Sequence, residues 1–480
     1  MPRRKVRVPL ADREMIEGLR RIRAELDVPG AFAPDVEDAV REASRAPRAV
    51  GDRLDRRDLE LVTIDPVGSR DLDQAFAAER RRGGTRVHYA IADVAAFVTS
   101  GDAVDRAAHE RGVTFYLPDG RAPLYPDELG EGAASLLPDE ERPALLWTID
   151  LDEAGAATEW RVERALVRSR AAITYAAAQR EIDGGQASES LGLLREIGLL
   201  REAQERARGG VSLPLPDQEV RERRGGYDLA YDVPRLVEGW NAQISLLTGI
   251  CAATMMIDGG VGLLRTLPPA DDRSTSRLHR VADALEIAWP TDITYPELVR
   301  SLDPMLPTHA AFLEQAVSTL RGAGYAVVDP SADTTPVHAA LATPYAHVTA
   351  PLRRLADRFA NEVVVALSAG IEPDPVARDA LGALPDIMRE AARRSSAVER
   401  AVIDLAEALV LRGREGTEFP AVVIDRDDKS ASVLLRAPAV VAKIDTTALA
   451  SIGAELGSEV RVRLVVAHPA ERQVLFSVVE

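Results

Sequence analysis

The chain has 480 residues, of which 46% are hydrophobic, and its 76 acidic residues outnumber its 59 lysines and arginines, giving a net charge of −17. This length exceeds one typical domain of roughly 100–200 residues, so we expect two or three folded units. The acidic balance excludes a protein that coats nucleic acid nonspecifically, because such proteins usually carry a net basic surface. An enzyme that threads one nucleic-acid strand through a locally basic channel is still compatible with a net negative charge.

Cysteine usage and hydropathy set the expected compartment. The single cysteine, Cys251, excludes an internal disulfide framework and fits a reducing environment. No stretch approaches the ~18 consecutive apolar residues of a membrane span, and no run of signal-peptide type follows the basic start. The sequence has neither a Walker-type phosphate loop nor cysteine and histidine at zinc spacing. We therefore expect a cytoplasmic monomer that neither uses ATP nor binds a membrane.

In chain order, the sequence first predicts a charged helical segment over 1–58, either a small clamp or a solvated face. Apolar runs at 59–65 and 87–98 then predict buried strands of a mixed fold. Helix-like apolar spacing recurs further along the chain, at 190–207, 236–257 and 359–411.

The end of the chain changes character again, because β-rich runs alternate there with turn-type stretches. These runs are 419–424, 431–435, 460–466 and 474–479. Such a series of short strands predicts a small barrel of the OB type, a fold often used on single-stranded nucleic acid. A β-subdomain without any binding role would have the same pattern, since a fold alone does not imply a function.

Three carboxylates, Asp65, Asp71 and Asp73, crowd together directly after the first apolar run. Like charges this close repel and raise one another's pKa unless a cation is present. Magnesium suits such a cluster, because it prefers octahedral oxygen coordination through one or two carboxylates, waters and substrate phosphate. The segment lacks the spacing and distal glutamate of a calcium loop. From spacing alone, an acidic surface turn stays an open alternative.

A series of motifs follows in order around and after this cluster. They read TID at 63–65 with DLDQA at 71–75, HYAIADV at 88–94, RGVTFYLP at 111–118, PLYPDEL at 123–129 with SL at 135–136, and YAHVTAPLRRLAD at 345–357. In this order they resemble the catalytic domain of the ribonuclease II family, the 3′-to-5′ exoribonucleases that include ribonuclease R. Each motif alone is weak, but the set in register is highly specific.

The resemblance implies an α+β fold, with a mixed α/β catalytic domain of the RNB type at 59–412. It also implies that the five-stranded OB-type barrel, at 413–480, binds RNA. The expected domains are thus the helical segment 1–58, the catalytic domain and the barrel. The start of the chain is too short for the two cold-shock barrels that many members carry in front.

The resemblance further implies roles for the cluster. The expected metal ligands are Asp65, Asp71, Asp73 and Gln74, with Mg²⁺ as the ion and Mn²⁺ as an alternative. Asp71 and Asp73 would also be catalytic, and Asp73 the least replaceable. Arg353 would neutralise charge on the scissile phosphate as the transition state forms.

Four more residues are implied to lie along the RNA. Tyr116 would stack on a base near the 3′ end and so help to set the final product length, because aromatic stacking tolerates any sequence. Arg354 would support the neighbouring arginine. Glu238 and Glu399 occupy places where the family carries acidic residues near the site.

The implied reaction is hydrolysis of single-stranded RNA from its 3′ end to nucleoside 5′-monophosphates by a metal-bound water. Contacts to 2′-hydroxyls would discriminate against DNA. Two other functions stay open. One is a catalytically weak or silent RNA-binding factor on the same fold, and the other is a metal-dependent phosphoesterase that acts on short oligonucleotides or DNA.

The chain departs from the family pattern at several positions. Gln74 stands where a fourth aspartate is expected, and its amide oxygen carries no charge, so we expect weaker metal affinity or changed geometry. Other replacements are Ala350 for serine, Leu355 for tyrosine and Asn361-Glu362 for His-Arg. The Gln74 change supports the binding-factor alternative, whereas the three retained aspartates and the arginine weigh against it.

Three further polar residues are expected to be structural, because buried polar groups usually need partners. His88 and Asp93 lie on a predicted core strand and are expected to form a hydrogen-bonded pair. His347 is expected to support the loop that carries the key arginine.

Overall fold

The computed structural model describes residues 6–7, 13–48, 52–214, 217–223, 226–232, 234–426, 430–435, 440–445, 449–450, 452–455 and 457–479. The α-helices are α1 (Arg13–Glu25), α2 (Pro34–Arg45), α3 (Ala103–Arg111), α4 (Tyr175–Asp183), α5 (Glu189–Ala207), α6 (Leu236–Asp258), α7 (Asp272–Ala284), α8 (Tyr295–Ser301), α9 (Pro307–Ala316), α10 (Leu355–Ser368), α11 (Pro375–Ala380) and α12 (Leu384–Leu411). The β-strands are β1 (Val6–Arg7), β2 (Leu54–Asp55), β3 (Val62–Asp65), β4 (Gln74–Arg81), β5 (Gly84–Ala92), β6 (Phe115–Leu117), β7 (Gly120–Ala122), β8 (Glu141–Asp152), β9 (Ala157–Arg168), β10 (Ala171–Thr174), β11 (Asp217–Arg223), β12 (Gly226–Asp232), β13 (Leu263–Thr266), β14 (Gly324–Val327), β15 (Glu418–Arg426), β16 (Ser430–Leu435), β17 (Val441–Asp445), β18 (Glu459–His468) and β19 (Gln473–Val479).

A seven-stranded sheet, in the order β10-β3-β4-β5-β8-β9-β2, forms the centre of the first part of the chain. Its inner neighbours are antiparallel, while β10 joins β3 and β2 joins β9 in parallel. The apolar runs at 59–65 and 87–98 supply β3 and most of β5, as predicted, although β5 ends at Ala92. Helix α5 packs on β4 and α10 packs on β9, so both helices cover part of the sheet.

The helical spacing predicted at 190–207, 236–257 and 359–411 corresponds to α5, α6 and the α10–α12 region. Helix α6 is long and apolar enough to cross a membrane, but 56% of its most apolar window is buried in the protein. It packs against α5 and α10, which is the environment of a core helix.

The N-terminal helices are packed onto the rest of the protein. Helix α1 buries Met15, Leu19 and Ile22, spaced so that they share one face. This helix packs against α12, and a Cβ added at Gly18 would lie 2.5 Å from the Leu405 side chain. Gly18 therefore allows the close contact between α1 and α12. One face of α1, within the charged segment 1–58, is buried and not solvated.

The end of the chain forms a five-stranded antiparallel sheet in the order β17-β16-β15-β18-β19. Strand β17 also lies against β19, so the sheet is nearly closed into a barrel of the OB type. Its own core includes Phe419, Val433, Val462 and Phe476. The predicted fold class, α+β with a C-terminal OB-type barrel, is confirmed, and the individual domain boundaries stay a prediction.

A buried ion pair between α3 and α10 gives a test of how the helices hold together. Arg358 donates to Asp105 at 2.5 Å, and both residues are at most 5% exposed. Replacing Asp105 by asparagine is expected to lower the free energy of unfolding by about 3–5 kcal/mol, because a buried guanidinium loses its counter-charge. Urea unfolding measures the change.

The control is Asp386→Asn, which removes an equally short pair with Arg389 at the surface and is expected to change stability by at most about 1 kcal/mol. Burial alone would raise the pKa of Asp105, but His109, Arg358 and the Gly101 amide together lower it. The effect should therefore be complete above about pH 4 and shrink on acidification. Equal effects of the two variants would contradict this assignment.

Candidate active site

The acidic cluster lies where β3 ends and β4 begins. Asp65 is the last residue of β3, and the loop that follows carries Asp71 and Asp73 up to the first residue of β4. The Ser135 hydroxyl holds this loop, since it donates to the Arg70 carbonyl at 2.6 Å and accepts from the Leu72 amide at 3.0 Å. The SL motif at 135–136 therefore positions the carboxylates.

The loop before α10, residues 345–354, carries Arg353 and is called the arginine loop. It is bonded directly to this cluster. The Leu352 amide donates to Asp73 Oδ1 at 2.8 Å, and Arg353 Nε lies 3.1 Å from Asp73 Oδ2. From the start of β4, the Gln74 amide nitrogen donates to the Thr349 carbonyl. The structure thus brings the predicted arginine and the predicted key aspartate together, although they are far apart in sequence.

The other side of this arginine loop rests on the protein core. The Ala346 amide donates to the Gly249 carbonyl of α6 at 3.0 Å, and a Cβ at Gly249 would lie 2.1 Å from the Tyr345 ring. His347, expected to support the loop, has its Nδ1 2.7 Å from the Tyr325 hydroxyl. Burial lowers the pKa of His347 well below its usual range, so it supports the loop as a neutral ring.

Burial has the largest effect on the pKa of two carboxylates in the cluster, Asp65 and Asp73. It raises the pKa of Asp73 to about 7 and that of Asp65 to about 6, against the opposing charge of Arg353. The charge of Asp71 raises both further. Arg353 keeps 45% of its side chain exposed, so its guanidinium faces solvent as well as Asp73.

A short hairpin of β6 and β7 carries the predicted stacking tyrosine to the cluster. Tyr116 is 42% exposed, and its hydroxyl lies 3.5 Å from Asp71 Oδ2. Arg121, on the facing strand, binds the same oxygen at 2.8 Å. The motif comparison did not single out Arg121, because only the hairpin register (Tyr116 opposite Arg121) places it beside the cluster.

Two further side chains that sequence reasoning missed lie next to Asp65. Strand β10 runs parallel to β3 with Thr174 opposite Asp65, so Tyr175 follows beside the end of β3. Tyr175 shares a hydrogen bond with Asn241, whose amide donates to the Ile64 carbonyl at 3.3 Å. Glu238, on the first turn of α6, is close enough to act on the pKa of Tyr175.

For the remaining predicted residues, the structure shows no direct contact with Asp65, Asp71 or Asp73 among the described contacts. Arg354 is held in a bidentate pair with Asp357, at 2.9 and 2.8 Å, and the second carboxylate oxygen also accepts from the Ala350 amide. Arg354 therefore stabilises the arginine loop internally. Glu399 lies on α12, which packs against β6. Contacts of Arg354, Glu238 and Glu399 with RNA stay predictions.

The expected pair between His88 and Asp93 is wrong. Asp93 is buried, and its carboxylate binds Arg53 at 2.7 Å and Arg164 at 2.8 Å. His88 Nε2 instead lies 3.7 Å from Glu79. Arg164 also binds Glu362 at 2.7 Å, so the glutamate that departs from the family pattern completes this network.

The carboxylates of the cluster offer few ligands for a metal ion. Within the described residues, no group of three or more Asp, Glu, His or Cys side chains could hold an ion. Mg²⁺ needs only one or two carboxylates, with waters and substrate phosphate as its other ligands. Asp65 and Asp73 fit this need, because they are oxygen donors and burial raises the pKa of both despite the nearby Arg353, so a bound cation would favour their charged forms. Ligation by Asp71 and Gln74 stays a prediction.

Replacing Gln74 by glutamate tests its structural bond. The change keeps the size of the side chain, but removes the N–H that donates to the Thr349 carbonyl and sets a carboxylate against that oxygen. We expect the free energy of unfolding to fall by about 1–3 kcal/mol, measured by urea unfolding. The control is Gln204→Glu, which removes an exposed donor to the Ala154 carbonyl and should change stability by less than about 0.5 kcal/mol. An unchanged Gln74→Glu variant would refute the role.

The candidate site therefore combines an acidic cluster at the end of β3 with an arginine loop bound to it, in a chain that ends in a barrel of the OB type. Residues 53–369 match the family profile described as "RNB domain", and residues 417–479 match "RNase II-type exonuclease C-terminal S1 domain". The chain belongs to the RNB-domain ribonuclease family, and the resemblance seen in the sequence is confirmed. Ribonucleases of this family are metal-dependent hydrolases.

The chain spans only about half the length of the curated relatives that it matches. Ribonuclease R of Escherichia coli is 29% identical over 339 residues, which are 66% of this chain and 40% of that protein. Ribonuclease R of Aquifex aeolicus is 26% identical over 408 residues, 81% of this chain and 57% of that protein. The structure of Mycoplasma genitalium RNase R in complex with ribose methylated single-stranded RNA matches with a TM-score of 0.81 and 18% identity, over 97% of this chain and 78% of that one. This structural likeness shows the shared fold.

Proposed function

We propose that the chain is a hydrolytic exoribonuclease that shortens single-stranded RNA from its 3′ end and releases nucleoside 5′-monophosphates with the help of Mg²⁺. The observation that carries this proposal is the direct bond between Asp73 and the arginine loop beside Asp65 and Asp71. Family membership supports the reaction class. The structure of Mycoplasma genitalium RNase R with single-stranded RNA supports single-stranded RNA as the substrate.

Each part of the site has a defined task in this proposal. Asp65 and Asp73 would hold the ion, which supplies an activated water and a positive charge for the phosphate oxygens. Asp73 orients Arg353 through Nε, so that the rest of the half-exposed guanidinium meets the scissile phosphate. Tyr116 offers an exposed ring to the terminal base. The barrel would bind the upstream strand.

The silent-binder alternative is not favoured. A structural relative, yeast Ssd1, is a pseudonuclease, and it matches with a TM-score of 0.63 and 14% identity. Here the exchange at Gln74 removes one carboxylate, but that side chain now holds the arginine loop at Thr349. Asp65, Asp73 and Arg353 remain and are close to one another, so the reactive groups are still in place.

The test uses an unstructured RNA of about 30 nucleotides, longer than one OB barrel covers, labelled at either end. With Mg²⁺, the 5′-labelled RNA should give a descending ladder, and the 3′-labelled RNA should release labelled mononucleotide at once. Chromatography should identify the product as the 5′-monophosphate. Circular RNA should stay intact, and EDTA should stop the reaction.

Other outcomes would replace the proposal. Intact RNA that still shifts on a gel would support the binding factor. Equal hydrolysis of DNA, or turnover that does not depend on length, would support the phosphoesterase. A mononucleotide released first from the 5′-labelled end would refute the direction.

A further inference from the structure

Two side-chain amides bind consecutive carbonyls of the arginine loop from opposite sides. From β4, Gln74 donates to the Thr349 carbonyl. From α10, Asn361 Nδ2 donates to the Val348 carbonyl at 3.0 Å. Val348 is fully buried and Thr349 is only 4% exposed. The two amides therefore supply the partners that buried peptide groups require in this stretch of the loop.

Both amides stand where the chain departs from the family pattern. Gln74 replaces an aspartate and Asn361 replaces a histidine, and an ionised carboxylate at position 74 could not donate to a carbonyl. Asn361 is 2% exposed, and its Oδ1 has no hydrogen-bond partner within the described residues. Such an unpaired buried oxygen costs stability, so the N–H group is the part of this side chain that the fold uses.

The arginine loop has other hydrogen bonds on either side of this stretch. They join the Ala346 amide to the Gly249 carbonyl, the Ala350 amide to Asp357, the Leu352 amide to Asp73 and the Thr114 amide to the Arg353 carbonyl, at 2.7–3.0 Å. Within the part of the chain that the structure describes, only Gln74 and Asn361 bond to the carbonyls of Val348 and Thr349. Loss of one amide should therefore shift the loop just before Arg353 without detaching it.

We propose that Gln74 and Asn361 are a pair of positioning residues, which fix residues 348–349 so that Arg353 keeps its place beside Asp73. The inference rests on the proposed function, because the place of this guanidinium matters to a reaction only if a phosphate is cleaved there. It also gives the two departures from the family pattern one shared task. Each supplies an N–H group to the same loop, one from the sheet and one from the helix behind it.

The test in catalysis uses Gln74→Met and Asn361→Leu, which remove the N–H groups with little change in side-chain size. A small misplacement of a reacting group costs up to about 10²-fold in rate. Each variant should therefore lower single-turnover cleavage by about 10- to 100-fold and leave RNA binding unchanged. The double variant should lose little more than the worse single variant, because residues that act as a unit are not additive. In an Arg353→Met background neither should lower the rate further.

Hydrogen exchange gives a readout that does not depend on activity. Exchange of the amides in segment 345–354 is measured by mass spectrometry on the full-length chain without RNA. Each amide variant should speed exchange in this segment by about 10-fold or more, because local opening exposes its bonded amides. The control is Gln243→Met, which removes a buried amide that donates to Glu205 of α5 at 2.7 Å. It should lower overall stability, but leave both the exchange of this segment and the cleavage rate unchanged.

Several results would overturn the inference. One is wild-type exchange and cleavage in either amide variant, and another is a double variant whose loss equals the product of the single losses. Losses that persist in the Arg353→Met background would show a general structural role instead. Asn361→Ser, which is too short to reach Val348, serves if the leucine variant fails to fold. If the wild type does not cleave RNA with Mg²⁺, the proposed function fails, and the exchange measurement still decides whether the pair holds the loop.

Discussion

Replacing Arg353 by methionine is expected to lower kcat/KM on single-stranded RNA by about 10²–10³-fold, the usual effect of losing one preorganised group that stabilises transition-state charge. The guanidinium is oriented by Asp73 at 3.1 Å, yet 45% of the side chain faces solvent, so it is ready for a phosphate without rearrangement. The measurement is single-turnover cleavage of labelled RNA, which isolates the chemical step.

Two further variants locate the effect of Arg353. Arg353→Lys keeps a charge but loses the planar fork, so its rate should lie between those of the wild type and the methionine variant. Arg80→Met is the control, because Arg80 pairs with Glu196 at the opposite end of β4, and its rate should not change. A methionine variant within about threefold of the wild type would mean that another group neutralises the phosphate.

Elements with strong periodicity were predictable from the sequence. The long helices α5 and α6 and four of the barrel strands were expected close to their observed bounds. Strand β17, Val441–Asp445, was missed, since Lys443 and Asp445 interrupt its apolar character. Its strand state depends on pairing with β16 and on contact with β19, and both are tertiary effects that local pattern does not contain.

In the site, sequence motifs identified the main residues, whereas their partners are set by the order of the strands. The family motifs selected Asp73 and Arg353, and the structure joins them. The partners that set their surroundings come from elsewhere in the chain: Gln74 meets a carbonyl 275 positions away. Asp93 was expected to pair with a neighbour on its own strand, but arginines from β9 and the segment before β2 reach it instead. Such partners follow from strand order, which one sequence does not reveal.

Replacing Asp73 by asparagine is expected to reduce RNA cleavage by about 10²–10³-fold, because it leaves Arg353, a preorganised group for transition-state charge, without the carboxylate that orients it. The carboxylate orients Arg353, accepts from the Leu352 amide and is one of the two carboxylates suited to an ion. The variant should still bind RNA, because the stacking hairpin and the barrel are unchanged. Gel shift and single-turnover cleavage of the same RNA measure the two properties.

The same variant should gain stability relative to the wild type as the pH rises. Burial raises the pKa of Asp73 to about 7, above its value of about 4 in an unfolded chain. A raised folded-state pKa means that the stability contribution is complete below about pH 4 and is lost as the pH rises through about 7, where the folded protein must bury a charge. Asparagine has no such charge. Urea unfolding in EDTA at pH 5 and pH 8 should therefore favour Asp73→Asn more strongly at pH 8, whereas the exposed Asp386→Asn should show no such trend. A pH-independent difference would mean that the buried carboxylate is already compensated without an ion, and the case for a metal at Asp73 would fail.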